Sequence, residues 1–174
     1  EAFFPISYGG GIDSLKKIEK IINSGFERVI INSHQHIENN FLNKSIKEFG
    51  ASTIIAAIDI KKNLFGNYKI YVNSGSTKIN LNFWDYLKKI DEIGVSEVLI
   101  NSISNDGTKK GYDYKLINSI NKLLKHTNFM IYGGARGKLD FDQCKKNKLV
   151  SACVAGSSFV FQGKYDSVLI NYNI

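Results

Sequence analysis

Short apolar runs alternate with helix-period segments along the chain. Phe3 to Tyr8 is an apolar run that stops at Gly9-Gly10-Gly11. Asp13 or Ser14 then caps a helix whose apolar positions Leu15, Ile18, Ile21 and Ile22 recur at helical spacing, and Gly25 ends it. Val29 to Ile31 reads as the next strand, followed by a helix carrying Phe41, Leu42, Ile46 and Phe49, and Thr53 to Ile58 as the third strand. From Asn63 to Ser76 the rhythm breaks into two short runs around Phe65-Gly66-Asn67. The second alternates through Tyr68, Ile70 and Val72, the pattern of a β-hairpin insertion. The alternation then resumes. A helix with Phe83, Trp84, Leu87, Ile90 and Ile93 ends at Gly94, and a strand from Glu97 to Ile100 and a helix from Leu116 to Leu124 follow it. Next come a strand from Phe129 to Tyr132, a short helix after Gly137, a strand from Leu149 to Val154 and a last helix near Tyr165 to Ile170.

Strict strand-helix alternation predicts an α/β protein with a parallel sheet, because parallel strands need a crossover and the crossover is usually a helix. Near-continuous apolar runs fit a sheet covered on both faces. A doubly wound open sheet and a (β/α)8 barrel both satisfy this. The length, 174 residues, suits one domain covering 1–174. No apolar run approaches the roughly 18 residues of a membrane span, so no membrane association is expected. Two cysteines, Cys144 and Cys153, are too few for a disulfide framework or a zinc cluster. A cytoplasmic setting, no metal and no cofactor are expected. The net charge of +7 comes largely from scattered lysine pairs such as Lys16-Lys17, Lys61-Lys62 and Lys145-Lys146. That distribution suits a solvated surface, not a nucleic-acid interface, and it also favours approach of a phosphorylated small molecule.

Polar and Gly residues gather where the strands end, the rim at which both architectures place chemistry. Tyr8-Gly9-Gly10 and Tyr132-Gly133-Gly134 are 124 residues apart, and so are Ser33 and Ser157. Two features sharing one offset indicate an internal duplication in which neighbouring units recur across a barrel. Each repeat is suited to anion binding, since a Gly-rich turn entering a helix lets backbone N–H groups face a ligand with no Cβ in the way. Asn32 and Ser33 in one half, and Gly156 and Ser157 in the other, add small donors. Two half-sites on one rim suit a ligand with a phosphate at each end. Between them, Asp59 closes the run Thr53–Ile58, where a carboxylate serves as general acid or base, or else caps a helix or pairs with Lys61. Asp106-Gly107-Thr108 forms a rim turn whose N–H groups face the same substrate. His34 and His36 follow the Asn32-Ser33 turn and read as a surface pair at a helix start, without a third ligand for a metal.

The segments YGGGI (8–12), INS (31–33), AIDIKK (57–62), NSISNDGTKKGYD (101–113), GGARGK (133–138) and AGSSFVF (155–161) resemble the cyclase subunit of imidazole glycerol phosphate synthase, the HisF family. The likeness runs along essentially the whole chain in family order. It implies a (β/α)8 TIM barrel of the ribulose-phosphate-binding type, of which this chain carries strands 3 to 8 as an incomplete barrel. It also implies a glutaminase (HisH-like) partner at the strand N-terminal face that passes ammonia through the barrel to a bisphosphorylated ribulosyl-formimino aminoimidazole ribonucleotide. By position, Gly11, Asn32 and Ser33 would hold one phosphate, and Asp106, Gly107, Gly134, Gly156 and Ser157 the other end. Asp59 would be the catalytic aspartate, and Arg28 and Glu97 would belong to the ammonia gate at the barrel floor.

The chain also departs from the family pattern. With Phe3 opening the third strand, strands 1 and 2, a partner aspartate and two further gate residues fall outside it, so activity of this chain alone is not expected. Two open sheet edges and a tendency to associate follow. Ile79-Asn80 replaces a Thr-Gly after the hairpin, Ser104 an Asp, and Asn105 a common Arg; Tyr132 stands where a small Ser is usual. Several of these features, with KKNLFGNYKIYVNSG (61–75) and GSSFVFQGKYDSVLINY (156–172), resemble HisF-like paralogues of surface-polysaccharide loci, which serve in putting an acetamidino group on a nucleotide-linked sugar. A non-catalytic glutaminase-binding barrel and the related phosphoribosyl sugar isomerase are the alternatives.

Overall fold

The computed structural model describes residues 4–162 and 167–168. In chain order the elements are β1 (Ser7–Gly9), α1 (Leu15–Asn23), β2 (Arg28–Ile31), α2 (His34–Ile37), α3 (Phe41–Phe49), β3 (Ile54–Lys62), β4 (Tyr68–Val72) and β5 (Thr77–Asn82). They continue with α4 (Phe83–Ile93), β6 (Glu97–Ser102), α5 (Tyr114–Leu123), β7 (Asn128–Tyr132), α6 (Lys138–Cys144), β8 (Val150–Val154), α7 (Ser157–Val160), β9 (Phe161–Gln162) and β10 (Ser167–Val168).

Six strands pair in parallel in the order β1-β2-β3-β6-β7-β8, curled into part of a (β/α)8 barrel. Among the described residues β1 pairs only with β2 and β8 only with β7, so each leaves one edge without a strand partner. The helices cover the convex face because their apolar residues fall on one stripe. In α4, Phe83, Leu87 and Ile90 are fully or almost fully buried, Asn82 accepts hydrogen bonds from the Trp84 and Asp85 N–H groups at 2.9 and 3.2 Å, and Gly94 closes the helix at φ 82°.

Strand burial corrects the expectation of uniform apolar cover. Only β3 is buried along most of its length; β2, β6 and β7 alternate. Val29, Ile31, Val98, Ile100, Phe129 and Ile131 lie fully buried beneath the helices, whereas Ile30, Leu99, Asn101, Met130 and Tyr132 are half-buried on the concave face. Paired residues on parallel strands face the same side, so the concave face is built in rows, as in a barrel interior. Ala57, Leu99 and Met130 form the middle row, and Asp59, Asn101 and Tyr132 the row above it.

The insertion also differs in extent. β3 runs past Asp59 to Lys62, its end pairs antiparallel with β4, and β4 pairs with β5 as far as Asn82. Within the expected last helix, Ser167–Val168 is instead a strand antiparallel to Phe161–Gln162; the rest of that segment lies outside the described residues.

Asp91, near the end of α4, ties this helix to the loop before β7. Its carboxylate accepts hydrogen bonds from the backbone N–H groups of Lys125, His126 and Thr127 at 3.0, 3.0 and 2.7 Å. Burial acts to raise its pKa, but the three donors outweigh burial and hold it below the usual carboxylate value. A depressed folded pKa contributes stability that is present above the unfolded value of about 3.9 and is lost as pH falls through the folded value. Asp91→Ala is expected to cost about 2–4 kcal/mol at pH 7. Urea unfolding at pH 7 and pH 3 should show this difference shrinking at the lower pH; an unchanged difference would mean that the charge is not what matters.

Candidate active site

A cavity of about 710 Å3 opens at the C-terminal ends of the strands, between the turn after β1 and Tyr132. Asp59 sits on its wall and is buried. Its two carboxylate oxygens are held from opposite sides: the Asn32 amide donates to Oδ2 and the Asn101 amide to Oδ1, each at 2.9 Å. The amide oxygens of both asparagines are buried and have no hydrogen-bond partner. The two amide oxygens are shut off from the cavity, and what the wall presents to a ligand is the aligned Asp59 carboxylate, an acceptor for N–H or O–H donors. Lys61, the other partner considered for Asp59, donates instead to the Gly75 carbonyl at 2.8 Å and lies over the Tyr71 ring.

The first predicted half-site lines this cavity. Gly9, Gly10, Gly11, Asn32 and Ser33 all contribute to its wall. Gly10 and Gly11 have φ of 120° and 64°, and a Cβ on either would meet nothing within 4 Å, so a ligand can approach the backbone closely there. Ser33 Oγ accepts from the Asn73 N–H at 3.2 Å, which brings the turn between β4 and β5 over the half-site and leaves the hydroxyl proton to donate elsewhere. Lys17, from α1, reaches the Gly11 carbonyl at 3.0 Å and Asp13 at 2.6 Å. His34 lines the cavity and lies 3.5 Å from the Glu38 carboxylate. His36 is not at the surface: it packs on Tyr86 at 4.7 Å between ring centroids, and burial lowers its pKa to about 4.

The second half-site is built differently, and Asp106, Gly107, Gly134, Gly156 and Ser157 lie outside the lining of the cavity. The space beside Gly133 is taken by the Ser102 carbonyl, 2.5 Å from where a Cβ would sit. The corresponding space at Gly134 is taken by the Gly111 carbonyl, at 2.4 Å. These glycines admit the loop after β6, whose Gly111 N–H donates to the Gly134 carbonyl at 2.6 Å. Gly107, at φ 73°, has open space around it, and Gly156 and Ser157 open the short α7. The Tyr132 hydroxyl donates to Asp106 Oδ2 at 3.2 Å; burial first, then the nearby Asp106 charge, raise the phenol pKa.

Strand parity also corrects the duplication. Gly9 pairs with Ile30 and faces the cavity, whereas Tyr8 pairs with the buried Val29 and packs on Phe26 at 5.4 Å between ring centroids. Across the barrel the cavity-facing residue is Tyr132, so Gly9 and Tyr132 are counterparts, one residue out of phase with the offset read from the sequence. At the opposite end of the concave face, the Arg28 guanidinium and the Glu97 carboxylate form an ion pair. Asn101 is the site residue that sequence reasoning missed. Continuing the two-residue alternation of β6 one step beyond Leu99 would have found it.

Residues 1–166 match the family model described as "Histidine biosynthesis protein". The "Imidazole glycerol phosphate synthase subunit HisF" of Hydrogenobaculum sp. (strain Y04AAS1) is 36% identical over 160 residues, covering 92% of this chain and 63% of the relative. The "Putative imidazole glycerol phosphate synthase subunit hisF2" of Pseudomonas aeruginosa is 34% identical over 172 residues, covering 99% of this chain and 68% of the relative. The chain belongs to the HisF family. It spans about two thirds of the length of these HisF relatives. The HisF barrel accounts for the parallel curled sheet and for a cavity at the strand C-terminal rim. Among the described residues no helix is long and apolar enough to cross a membrane.

Proposed function

We propose that this chain is the ammonia-using barrel of a cytoplasmic glutamine-dependent enzyme of the cyclase-lyase type, with Asp59 as general acid and base. The observation that carries this reading is the Asp59 cluster: a carboxylate fixed through both oxygens by Asn32 and Asn101, whose own amide oxygens are unpaired. Ammonia is a small N–H donor that the fixed Asp59 carboxylate on the cavity wall can accept from. Beside it the open Gly10–Gly11 turn with Ser33 takes a phosphate through backbone and hydroxyl donors. With a ribulosyl-formimino aminoimidazole ribonucleotide, ammonia adds at the ketone carbon with loss of water. The new nitrogen attacks the formimino carbon, the C–N bond to the aminoimidazole carboxamide ribotide breaks as Asp59 delivers a proton to the leaving amine, and ring closure gives imidazole glycerol phosphate. A glutaminase partner at the opposite face would supply the ammonia, with Arg28 and Glu97 at its entry.

The second reading keeps the ammonia chemistry and assigns it to amidination of a surface-polysaccharide sugar; Tyr132 at the far wall of the cavity favours it. The test is ammonium-driven turnover by the full protein, with ammonium chloride replacing the partner. Product formation from the bisphosphorylated ribonucleotide supports the first reading, and ammonia consumption only with the sugar substrate supports the second. Tight glutaminase binding without affinity for any phosphorylated ligand would overturn both in favour of a non-catalytic barrel. Turnover of an aminoaldose without ammonia would instead indicate the isomerase.

A further inference from the structure

We infer that Tyr132 is a specificity-determining residue that closes the second anion half-site, so that the cavity holds a ligand by a single phosphate. This rests on the proposed phosphate binding at the first half-site, and of the two proposed readings it favours the sugar substrate over the bisphosphorylated ribonucleotide. Asp59, Asn101 and Tyr132 are register partners on β3, β6 and β7. With strands ~4.8 Å apart, the Tyr132 backbone lies about 10 Å from that of Asp59, within the reach of one sugar-sized ligand. The Tyr132 side chain faces the cavity, and its hydroxyl meets both flanks of the second half-site. It donates to Asp106 Oδ2 at 3.2 Å and lies 3.3 Å from where a Cβ on Gly156 would sit.

At the equivalent cavity-facing position of the first half-site stands Gly9, packed against Ile30, and the next two residues, Gly10 and Gly11, have nothing within 4 Å of a Cβ position. One end of the cavity is therefore open to a phosphate. The other is filled by a phenol ring whose proton is already given to the Asp106 carboxylate, so it takes the space of a second phosphate and offers it no donor. The phenol oxygen retains lone pairs, so the group it suits is a neutral hydrogen-bond donor such as a sugar hydroxyl. The chemical class that fits is a singly phosphorylated or phosphate-anchored sugar derivative with a hydroxylated far end.

Inorganic phosphate is the probe. Titration of the full chain followed by calorimetry and phosphorus NMR is expected to give one bound equivalent, abolished by Ser33→Ala combined with Gly11→Ala. Tyr132→Ser is expected to add a second equivalent. Tyr132→Phe, which keeps the ring, is expected to stay at one, with circular dichroism confirming the native fold of each variant. Two equivalents in the unaltered chain, or one in Tyr132→Ser, would overturn the inference. Absence of the first, Ser33-dependent equivalent would overturn the phosphate-binding half of the proposed function instead, so the two failures are told apart.

Discussion

Asp59→Asn is expected to lower ammonia-driven turnover by about 10²–10⁴-fold, the usual contribution of a positioned general acid-base. The substitution keeps the side-chain shape but removes proton transfer. Its structural cost is small for a reason visible in the site. Asn32 and Asn101 each donate to one carboxylate oxygen, and each carries an unpaired amide oxygen. An amide at position 59 offers one oxygen and one NH2 group. Only one neighbour has to rotate, turning its unpaired oxygen to the new donor, so every hydrogen bond is retained. Stability is therefore expected to change by no more than about 1 kcal/mol. The phosphate equivalent bound at the first half-site should be unaffected, so the loss falls on kcat with KM nearly unchanged. Asp59→Ala would lack that compensation, leaving two buried amides unpaired. Its extra instability relative to Asp59→Asn, measured by thermal unfolding, separates Asp59's structural role from its chemical one. Unchanged turnover in Asp59→Asn would remove Asp59 from the chemistry.

The element order and the site's location were legible because they depend on local signals. Apolar periodicity separates strands from helices. Asp59, Asn32 and Ser33 follow apolar runs in a parallel architecture whose strand ends converge on one rim. What was not legible depends on the distance between segments far apart in sequence. The Gly133-Gly134 pair has the same letters as Gly9-Gly10, yet one turn borders a cavity and the other is filled by the carbonyls of Ser102 and Gly111. Nothing in a Gly-Gly dipeptide tells close approach of a ligand from close approach of a neighbouring chain. Parity was the second limit. Tyr8 and Tyr132 look equivalent in the repeat, but the pairing of β1 with β2 turns Tyr8 away from the cavity, and the pairing of β7 with β6 turns Tyr132 into it. The length of β3 was the third. A strand predicted to stop at Ile58 runs on to Lys62 because β4 folds back to pair with it.

Gly134→Ala is expected to be among the most destabilising single changes at this rim, on the order of 3–5 kcal/mol. Gly134 has φ 96°, a conformation that costs an L-residue about 1–2 kcal/mol. The added Cβ would also lie 2.4 Å from the Gly111 carbonyl oxygen, which is backbone and cannot rotate aside as a side-chain tip would. Relieving that contact pulls apart the 2.6 Å hydrogen bond from the Gly111 N–H to the Gly134 carbonyl, a further loss of about 1 kcal/mol. Gly50→Ala is the control. Gly50 follows α3 at φ 88° with nothing within 4 Å of its Cβ position, so it carries the conformational cost alone. Thermal unfolding should place Gly134→Ala about 5–10 °C or more below Gly50→Ala, since about 1 kcal/mol corresponds to roughly 2–4 °C at this size. Equal melting temperatures would show that the loop yields without cost and that packing is not why glycine stands there. The same loop carries Asp106 and Gly107. In Gly134→Ala the Tyr132 hydroxyl should therefore lose its Asp106 partner, and the second half-site should change shape while the Asp59 cluster, on the neighbouring strands, keeps its geometry.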